Sequence, residues 1–466
     1  MPEPSASSPP RTRRTALVLL ALLLALHGSS LAGPLADGQG GNCAAMFALM
    51  TRNAQARGLL STRAVPLLNP APPAPDDIVA PYTHHPPGLP WLVMAAAQLP
   101  LALETAERLV ALALFAWSTL LLAGLARSLA DERAALATGL AWLLLPSGVL
   151  HGLLVNYETI AVPPMLGLTG ALLIRRARAA RWALLAALCD WISVLPALLA
   201  GPVAGWRRAL PALGAAVGMG LAVLAHGRLL GGGTTGETLA QALAATFLGP
   251  DFDPAAWWTA LLRDGGTLFG LAGPAALLAF AHADGTRRAV LALLLACGLL
   301  NVGLFAHHAS SHEHFWLLLA PFVALGSALL AFPHPRRGRG AGALVLAALL
   351  AGGWVFALDA PGSRGSTAQS ERAAAFAQVA DAHAVYVTPR GVALVFLAGA
   401  ERLVLPYPVA DAATARAAAR RYAARFVRSA RPAWVFVHRD DPLPPWLATL
   451  GPGEARGAFL FWPLHD

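Results

Sequence analysis

Arg11-Thr12-Arg13-Arg14 leads into Thr15-Ala16-Leu17-Val18-Leu19-Leu20-Ala21-Leu22-Leu23-Leu24-Ala25-Leu26-His27, and the apolar run continues to about Ala32. How this stretch is read decides the fold. A basic start followed by an apolar run is the pattern of a cleaved secretory signal, which would leave a soluble protein behind it. The sequence beyond Ala32 is instead rich in further membrane-like runs, so the stretch reads as a retained first transmembrane helix with its N-terminus in the cytoplasm. Cleavage after Ala32 is the alternative. The whole chain agrees with the first reading. Of its 466 residues 56% are hydrophobic and 13% charged, and the mean hydropathy is +0.56. That excludes an ordinary soluble enzyme. At ~20 apolar residues per crossing the chain can hold roughly ten spans and a small soluble domain besides. The expected class is an all-α polytopic membrane protein.

The basic residues set the expected topology. All of them are Arg, since the sequence contains no Lys, which excludes a lysine nucleophile or Schiff base. The net charge of +9 is not gathered into one stripe of the kind nucleic acid requires. It sits in short clusters between apolar runs, as the positive-inside rule expects: Arg127 and Arg133, Arg175 to Arg181, Arg207 and Arg208, Arg287 and Arg288, and Arg336 to Arg339. Placing these in the cytoplasm requires spans near 109–126, 134–150, 159–174, 209–226, 267–283, 289–306, 315–332 and 341–358. The stretch 182–206 is too short for two full spans and reads as two short helices meeting near Asp190 and Trp191. The crossings then number about eleven, which puts the C-terminus outside. Cys43 falls in an outer loop and Cys189 and Cys297 in apolar runs, so no disulfide pair is expected.

The domain boundary is set by composition. Residues 1–358 read as the transmembrane domain and 359–466 as a small extracytoplasmic α/β domain, because the charge density rises and long apolar runs end after Ala357. Val385 to Val387, Val392 to Leu397, Leu403 to Leu405 and Trp434 to Val437 read as short strands, with a helix from Ala412 to Arg428. Residues 33–104 form a long first outer segment. It holds a short helix over Cys43 to Gln55, an extended stretch from Pro66 to Pro87 and an interfacial helix over Leu89 to Leu99. His151 to Glu158, Gly227 to Asp264 and His307 to His314 are expected on the same outer side, and Trp257 and Trp258 form an interfacial belt.

The strongest local signal is Tyr82-Thr83-His84-His85-Pro86-Pro87. It sets two imidazoles at the lipid–water boundary on a backbone fixed by paired prolines. The pattern reads either as a rigid turn with solvated histidines or as part of a site. His307-His308-Ala309-Ser310-Ser311-His312-Glu313-His314 is equally open. His308 and His312 share the four-residue spacing of helical zinc ligands, yet no third ligand is fixed by spacing, and solvated or acceptor-contacting histidines compete with a metal. Asp190 is an ionisable residue inside an apolar stretch and is therefore functional or a helix cap. His27 reads as a hydrogen-bonded core residue.

Order and placement of these motifs carry a resemblance. A long first outer loop with Thr51-Arg52-Asn53 in a helix, then His84-His85-Pro86-Pro87 and an apolar helix, resembles the membrane glycosyltransferases of the C-type fold. That superfamily includes protein O-mannosyltransferases and the aminoarabinose transferases of lipid A. Asn156-Tyr157-Glu158 stands where the family often has an acid in the second outer loop, and His312-Glu313-His314-Phe315-Trp316, ending in Ala320-Pro321, is similar to the start of its late span. The resemblance covers roughly residues 10–358. It implies transfer of a hexose or pentose from a polyprenyl-phosphate donor to an extracytoplasmic acceptor, a lipid, glycan or protein, with inversion, in a bacterial inner membrane. One departure matters: the family's early acid, which would be the base, is replaced here by Asn42-Cys43, similar to the Asn-Gly pair of a related branch. The nearest acid is Asp37.

That reaction needs positive charge or hydrogen-bond donors for the lipid phosphate and a base for the acceptor. Arg52, Arg57, His84 and His85 meet the first need, and a divalent metal could replace part of the charge. For the second, Glu158 and Asp37 are the carboxylate candidates, with Asn42 at the place of the missing acid; Glu158 as a loop residue just outside its span is the bland alternative. His308, His312, Glu313, His314 and Asp190 are candidates for acceptor or metal contacts, with no metal set assigned. Two other function classes compete. A transporter or flippase for lipid-linked sugar would gather polar residues at the midplane in repeated halves, which the sequence does not. A degenerate homologue that only binds the donor would explain the missing acid.

Overall fold

The computed structural model describes residues 9–31, 39–71, 73, 76–82, 85–152, 154–175, 178–228, 253–304, 313–332, 343–351 and 367–464. In chain order the helices are α1 (Pro9–His27), α2 (Gln39–Arg57), α3 (Gly88–Ala96), α4 (Leu103–Leu129), α5 (Glu132–Leu144), α6 (Pro146–His151) and α7 (Tyr157–Gly170). They continue with α8 (Ala179–Cys189), α9 (Leu195–Ala204), α10 (Trp206–Arg228), α11 (Pro254–Phe269), α12 (Ala272–His282), α13 (Gly285–Leu304) and α14 (Ala320–Ala331). Residues 343–351 form a further helix, α15. The C-terminal segment runs α16 (Ala368–Val379), β1 (Val385–Val387), α17 (Leu394–Ala400), β2 (Leu403–Val404), α18 (Ala412–Ala423), β3 (Ala433–His438), β4 (Glu454–Arg456) and β5 (Phe459–Pro463).

Among the described residues five helices are long and apolar enough to cross a membrane: Leu103–Leu129, Tyr157–Ile174, Trp206–Gly227, Gly285–Gly303 and His314–Ala331. Counting α11 and α12, bent by 91° at their junction, as one broken span makes six. Of the about eleven expected crossings, the described residues thus show five or six by length and composition. The reasons are local. The apolar part of α1 begins only at Thr15, after Arg11, Arg13 and Arg14 in the same helix. The expected span 134–150 is interrupted at Leu145, where the backbone turns extended before Pro146 starts α6, as the residue before a proline tends to do. The stretch 182–206 does form two short helices, α8 and α9, meeting at Asp190 and Trp191 through a turn of 3-10 helix at Ile192–Val194. The expected span 341–358 lies partly outside the described residues.

The chain divides into two compact units. The first comprises Met1–Leu31, Arg108–Val223 and Glu237–Ser363, the second Ala32–Glu107, Leu224–Gly236 and Arg364–Asp466. The second unit thus contains both the segment 33–104 and the C-terminal segment.

The first unit packs its helices around a core that includes Leu19, Phe115, Trp142, Met165, Phe322 and Leu325. Small residues permit the close approaches: a Cβ at Gly167 would meet the Trp182 ring at 2.3 Å, and one at Gly326 would meet Ala276 at 2.7 Å. Helices in an apolar solvent associate by such packing. The innermost spans are Tyr157–Ile174 and His314–Ala331, each 89% buried, against 22% for Trp206–Gly227. These two innermost spans begin with the polar residues of the candidate site.

The second unit is built on a five-stranded sheet of order β2-β1-β3-β5-β4. β1 pairs with β2 and β3 in parallel, and β5 pairs antiparallel with β3 and β4. Alternation assigns the faces. Val385, Val387, Val435 and Val437 pack with Ala415, Ala419 and Tyr422 of α18. Tyr386, Phe436 and Phe461 turn the other way and meet Phe376 of α16, with Phe396 of α17 against Phe376 and Phe436. The expected strand Val392 to Leu397 is instead the start of helix α17. An apolar run this short has no period that separates strand from buried helix, and it comes after a turn at Gly391 with φ +71°. The helix expected from Ala412 to Arg428 ends at Ala423, and β4 and β5 were not expected.

In the same unit α2 and α3 form over the expected helices and extend or trim them by a few residues. In the proline-rich stretch between them Leu67 and Pro81 form an antiparallel bridge. Asn53 holds it: its Nδ2 donates to the carbonyls of Leu49 (2.9 Å), Leu67 (3.1 Å) and Asn69 (2.8 Å). Asn69 repeats the device, donating to the Ile78 carbonyl at 2.8 Å and accepting from the Ala80 N–H at 3.0 Å. Further on, Ile78 N–H donates to the Phe426 carbonyl at 2.6 Å and Arg428 N–H to that of Asp76 at 2.8 Å, so the stretch is stitched to the segment after α18. The Asp76 carboxylate accepts from the Ser429 hydroxyl and pairs with Arg431 Nη2 at 3.1 Å.

Two consequences are measurable. Asn53→Ala leaves buried carbonyls unpaired, each worth ~1–3 kcal/mol, and is expected to expose the 66–82 stretch to limited proteolysis at temperatures where the wild type resists. Equal protection in both proteins would remove Asn53 from this role. The Ser429 hydrogen bond, more than the nearby Arg431, holds the Asp76 carboxyl below its ordinary pKa. A depressed carboxyl stabilises the fold above its unfolded value of ~3.9 and loses that contribution as pH falls through its folded value. Asp76→Asn should therefore melt below the wild type at pH 7, with the gap closing on acidification below about pH 4. A gap that is constant from pH 7 to pH 3 would refute the linkage.

Candidate active site

The best-defined polar cluster of the first unit sits at the N-terminus of α7. Asn156 caps that helix: its Oδ1 accepts from the Thr159 N–H at 2.8 Å and from the Thr159 hydroxyl at 2.6 Å, with an extended backbone at φ −146°. This is what Asn does well at a helix start. It leaves Glu158 in the first turn, where the exposed N–H groups and the helix dipole favour negative charge. Glu158 is nevertheless only 8% exposed.

Across from it, the 3-10 turn Glu313–Leu319 brings His314, 6% exposed, so that its Nε2 lies 3.7 Å from Glu158 Oε2. At that distance the two form an ion pair when the imidazole is protonated. The 3-10 turn is itself anchored, because Asn301 near the end of α13 donates Nδ2 to the Phe315 carbonyl at 2.7 Å. Asp190, 3% exposed, ends α8; its Oδ1 accepts from the Ile192 N–H at 3.1 Å, and it lies near enough to Glu158 for the two carboxylates to repel. Sequence positions 158, 190 and 314 are thus gathered at one place. Asp190 thus answers to its expected reading as a cap at the end of a short helix.

The other expected residues lie in the second unit. The half-buried His85 stacks on Tyr82 with ring centroids 6.2 Å apart and planes at 14°. Pro86 and Pro87 come next, and Pro87 starts α3 by accepting from the Trp91 N–H at 2.9 Å, while Trp91 Nε1 donates to the Ala64 carbonyl at 2.7 Å. Asn42 and Arg52, both on α2, are engaged with α17. Asn42 Oδ1 accepts the Val395 N–H at 3.2 Å in the first turn of α17, and Arg52 Nη1 donates to the Ala398 carbonyl near its end and lies 3.5 Å from Glu401 Oε1. An acceptor at a helix N-terminus and a cation at its C-terminus are the arrangement that satisfies unpaired backbone groups and the dipole. Arg57 pairs with Asp77. Arg52, Gln55, Pro70 and Glu401 also border a cavity of about 460 Å³. Asp37, His84, His308 and His312 lie outside the described residues, as does the side chain of Glu313.

No group of three or more His, Cys, Asp or Glu is placed to hold a metal ion among the described residues. His27 is buried edge-on against Phe115, as a core histidine would be. Trp257 donates toward the Val302 carbonyl at 3.4 Å, and Trp258 is exposed. Sequence reasoning passed over Asn301 and Asp264, both buried. The signal for Asn301 was present: it is the polar residue in the otherwise apolar run before Gly303, and such residues are costly at membrane depth.

No protein-family model matches the sequence, and no curated protein matches it. Solved structures do. ArnT from Cupriavidus metallidurans bound to undecaprenyl phosphate aligns over 98% of this chain and 97% of its own, with 15% identity and a TM-score of 0.64. The oligosaccharyltransferase of Archaeoglobus fulgidus in complex with Zn and sulfate aligns over 91% of this chain and 68% of its own, with 12% identity and a TM-score of 0.57. The same archaeal enzyme, AglB, in complex with an inhibitory peptide and a dolichol-phosphate gives 12% identity and a TM-score of 0.52 over 92% and 69% of the two chains. Both proteins have the C-type fold of membrane glycosyltransferases, and this chain shares that fold from one end to the other.

Proposed function

We propose that the chain is a membrane glycosyltransferase that moves a hexose or pentose from a polyprenyl-phosphate carrier to an acceptor at the extracytoplasmic face of a bacterial inner membrane. The observation that carries this reading is the meeting of Glu158 and His314, buried together at the head of the two innermost spans. A buried acid beside an imidazole in an apolar bundle is expensive and is generally kept for chemistry. The fold supports the donor class, since structures of this fold hold undecaprenyl phosphate and dolichol-phosphate. The arginine clusters support a cytoplasmic N-terminus and an extracytoplasmic C-terminal domain.

In this reading the acceptor nucleophile attacks the anomeric carbon of the carried sugar from the face opposite the phosphate. The new bond to that carbon forms as its bond to the phosphate oxygen breaks, with inversion, and the polyprenyl phosphate leaves with the electron pair. The acceptor's proton passes to the Glu158 carboxylate as the new bond forms. The leaving phosphate gains a negative charge during the step, so a donor aimed at it acts on the transition state more than on the bound substrate. His85 takes that role on its sequence pattern, in a ring orientation held by Tyr82. Arg52 is committed to Ala398 and Glu401, which argues against assigning it to the phosphate.

The test is transfer from undecaprenyl-phosphate sugars by the purified chain, and product formation separates this reading from a flippase, which would move the lipid across proteoliposomes unchanged. Glu158→Gln should lose turnover by about 10²–10⁴-fold, the span typical of a general base, while donor affinity is kept. Full activity would pass the base role to Asp37 or leave the reaction without a protein base. His85→Ala should lower kcat with membrane insertion intact, and unchanged turnover would remove His85 from the site.

A further inference from the structure

Glu401, in the second unit, goes against two local rules at once. It follows the last residue of α17 with φ +50° and ψ +40°, the left-handed conformation that suits glycine at a helix end and is costly for a residue with a side chain. Its carboxylate also stands at the C-terminal end of the helix, where unpaired carbonyls favour a cation. The pair with Arg52 at 3.5 Å does little to offset these costs, because the two side chains are 36% and 52% exposed and exposed pairs contribute little. Among the described residues the Glu401 carboxylate accepts no hydrogen bond. Residues held against local preference in this way gather where a protein binds something.

Glu401 borders the cavity of about 460 Å³, together with Leu49, Arg52 and Gln55 of α2 and Pro70 and Ala71 of the proline-rich stretch. Leu49, Arg52 and Gln55 are spaced three apart and so lie along one side of α2. Gln55 is exposed, and its amide makes no hydrogen bond among the described residues. An apolar wall with a few polar groups set into it, at this volume, is the make-up of a small-molecule pocket. Charge narrows the ligand. Arg52 balances Glu401, so an anion meets the carboxylate, a cation meets the guanidinium, and a zwitterion has to pull the pair apart. Hydroxyl groups meet none of these obstacles: one donates to Glu401 while another exchanges hydrogen bonds with the Gln55 amide. The C–H faces of a sugar ring supply the apolar surface that Leu49, Pro70 and Ala71 would cover.

We propose that this cavity binds a neutral saccharide, with Glu401 accepting hydrogen bonds from ring hydroxyls, Gln55 bonding a neighbouring hydroxyl, and Arg52 positioning Glu401. The site belongs to the second unit alone, so it goes beyond the transfer reaction and does not depend on it.

Glu401→Gly removes the carboxylate and puts at φ +50° the residue that suits it, and Gln55→Ala replaces an exposed amide of α2 with a good helix former. Both variants should fold, Glu401→Gly with a Tm at or above that of the wild type; a lower Tm would overturn the reading that Glu401 is kept at a cost to the fold. The full chain in nanodiscs, free of detergents with sugar headgroups, is titrated with maltose, cellobiose and N-acetylglucosamine, and with phosphate, ethanolamine and phosphoethanolamine as charged controls. Binding is read by saturation-transfer NMR and calorimetry. The wild type should bind at least one saccharide at millimolar concentration and every charged control more weakly. Glu401→Gly should weaken that saccharide by about tenfold or more, as for a hydrogen bond to a charged group, and Gln55→Ala by up to about tenfold, as for a neutral one. Saccharide binding unchanged in either variant, no saccharide binding by the wild type, or tighter binding of any charged control would overturn the proposal. Each of these outcomes leaves the transferase reading standing, since none of them measures transfer.

Discussion

The head of α7 is where the membrane unit accepts its largest physical cost. A carboxylate 8% exposed, a second at Asp190 and an imidazole at 3.7 Å are held inside a bundle whose other walls are Leu, Ala and Val. Everything local is arranged to make that cost bearable. Asn156 satisfies the Thr159 N–H at the head of the helix, the 3-10 turn at Glu313–Leu319 brings His314 to Glu158, and Asn301 pins that turn from α13. An ion pair of this kind is weak evidence for stability, since desolvation offsets most of its Coulomb gain. In the proposed transfer the pair is the place for proton exchange, at the head of the two most enclosed spans.

The second unit solves a different problem, how to fix a long proline-rich segment that has no hydrogen-bonded secondary structure of its own. Buried backbone groups must be paired, and here two asparagines do it, Asn53 with three carbonyls and Asn69 with one carbonyl and one N–H. The Arg-Asn pair that resembles a glycosyltransferase signature is therefore architectural in its second member. Arg52 and Asn42 likewise serve the two ends of α17. A motif can be diagnostic of a fold because it builds the frame, without its side chains touching a substrate.

The long apolar elements were legible, because a span needs length and apolar composition and both are one-dimensional properties: Tyr157–Ile174, Trp206–Gly227, Gly285–Gly303 and His314–Ala331 fall within a few residues of their expected places. The short pair around Asp190 was legible for the same reason, by arithmetic on the space available. What failed was short or contextual. Val392 to Leu397 became helix because burial, not period, decides a run of that length, and the span over 134–150 broke at Pro146. Glu158, Asp190 and His314 could each be suspected singly as polar residues at the edges of apolar runs, but their meeting depends on how α7, α8 and the 3-10 turn pack, which no local pattern encodes. Asn301 was passed over because one amide in an apolar helix reads as tolerated until its partner is seen.

Asn42 sharpens the question of the missing early acid. In the fold its position faces the first turn of α17, where what is required is an oxygen to accept the Val395 N–H. An amide oxygen meets that need as well as a carboxylate does, and without placing a charge there. If an acid at this place had served both as helix cap and as base, its replacement by Asn would keep the first duty and lose the second. The loss need not silence the proposed reaction, because proton transfer requires a carboxylate within reach of the acceptor and does not require a particular point in the chain to supply it. Glu158 is the buried carboxylate that already has an imidazole beside it.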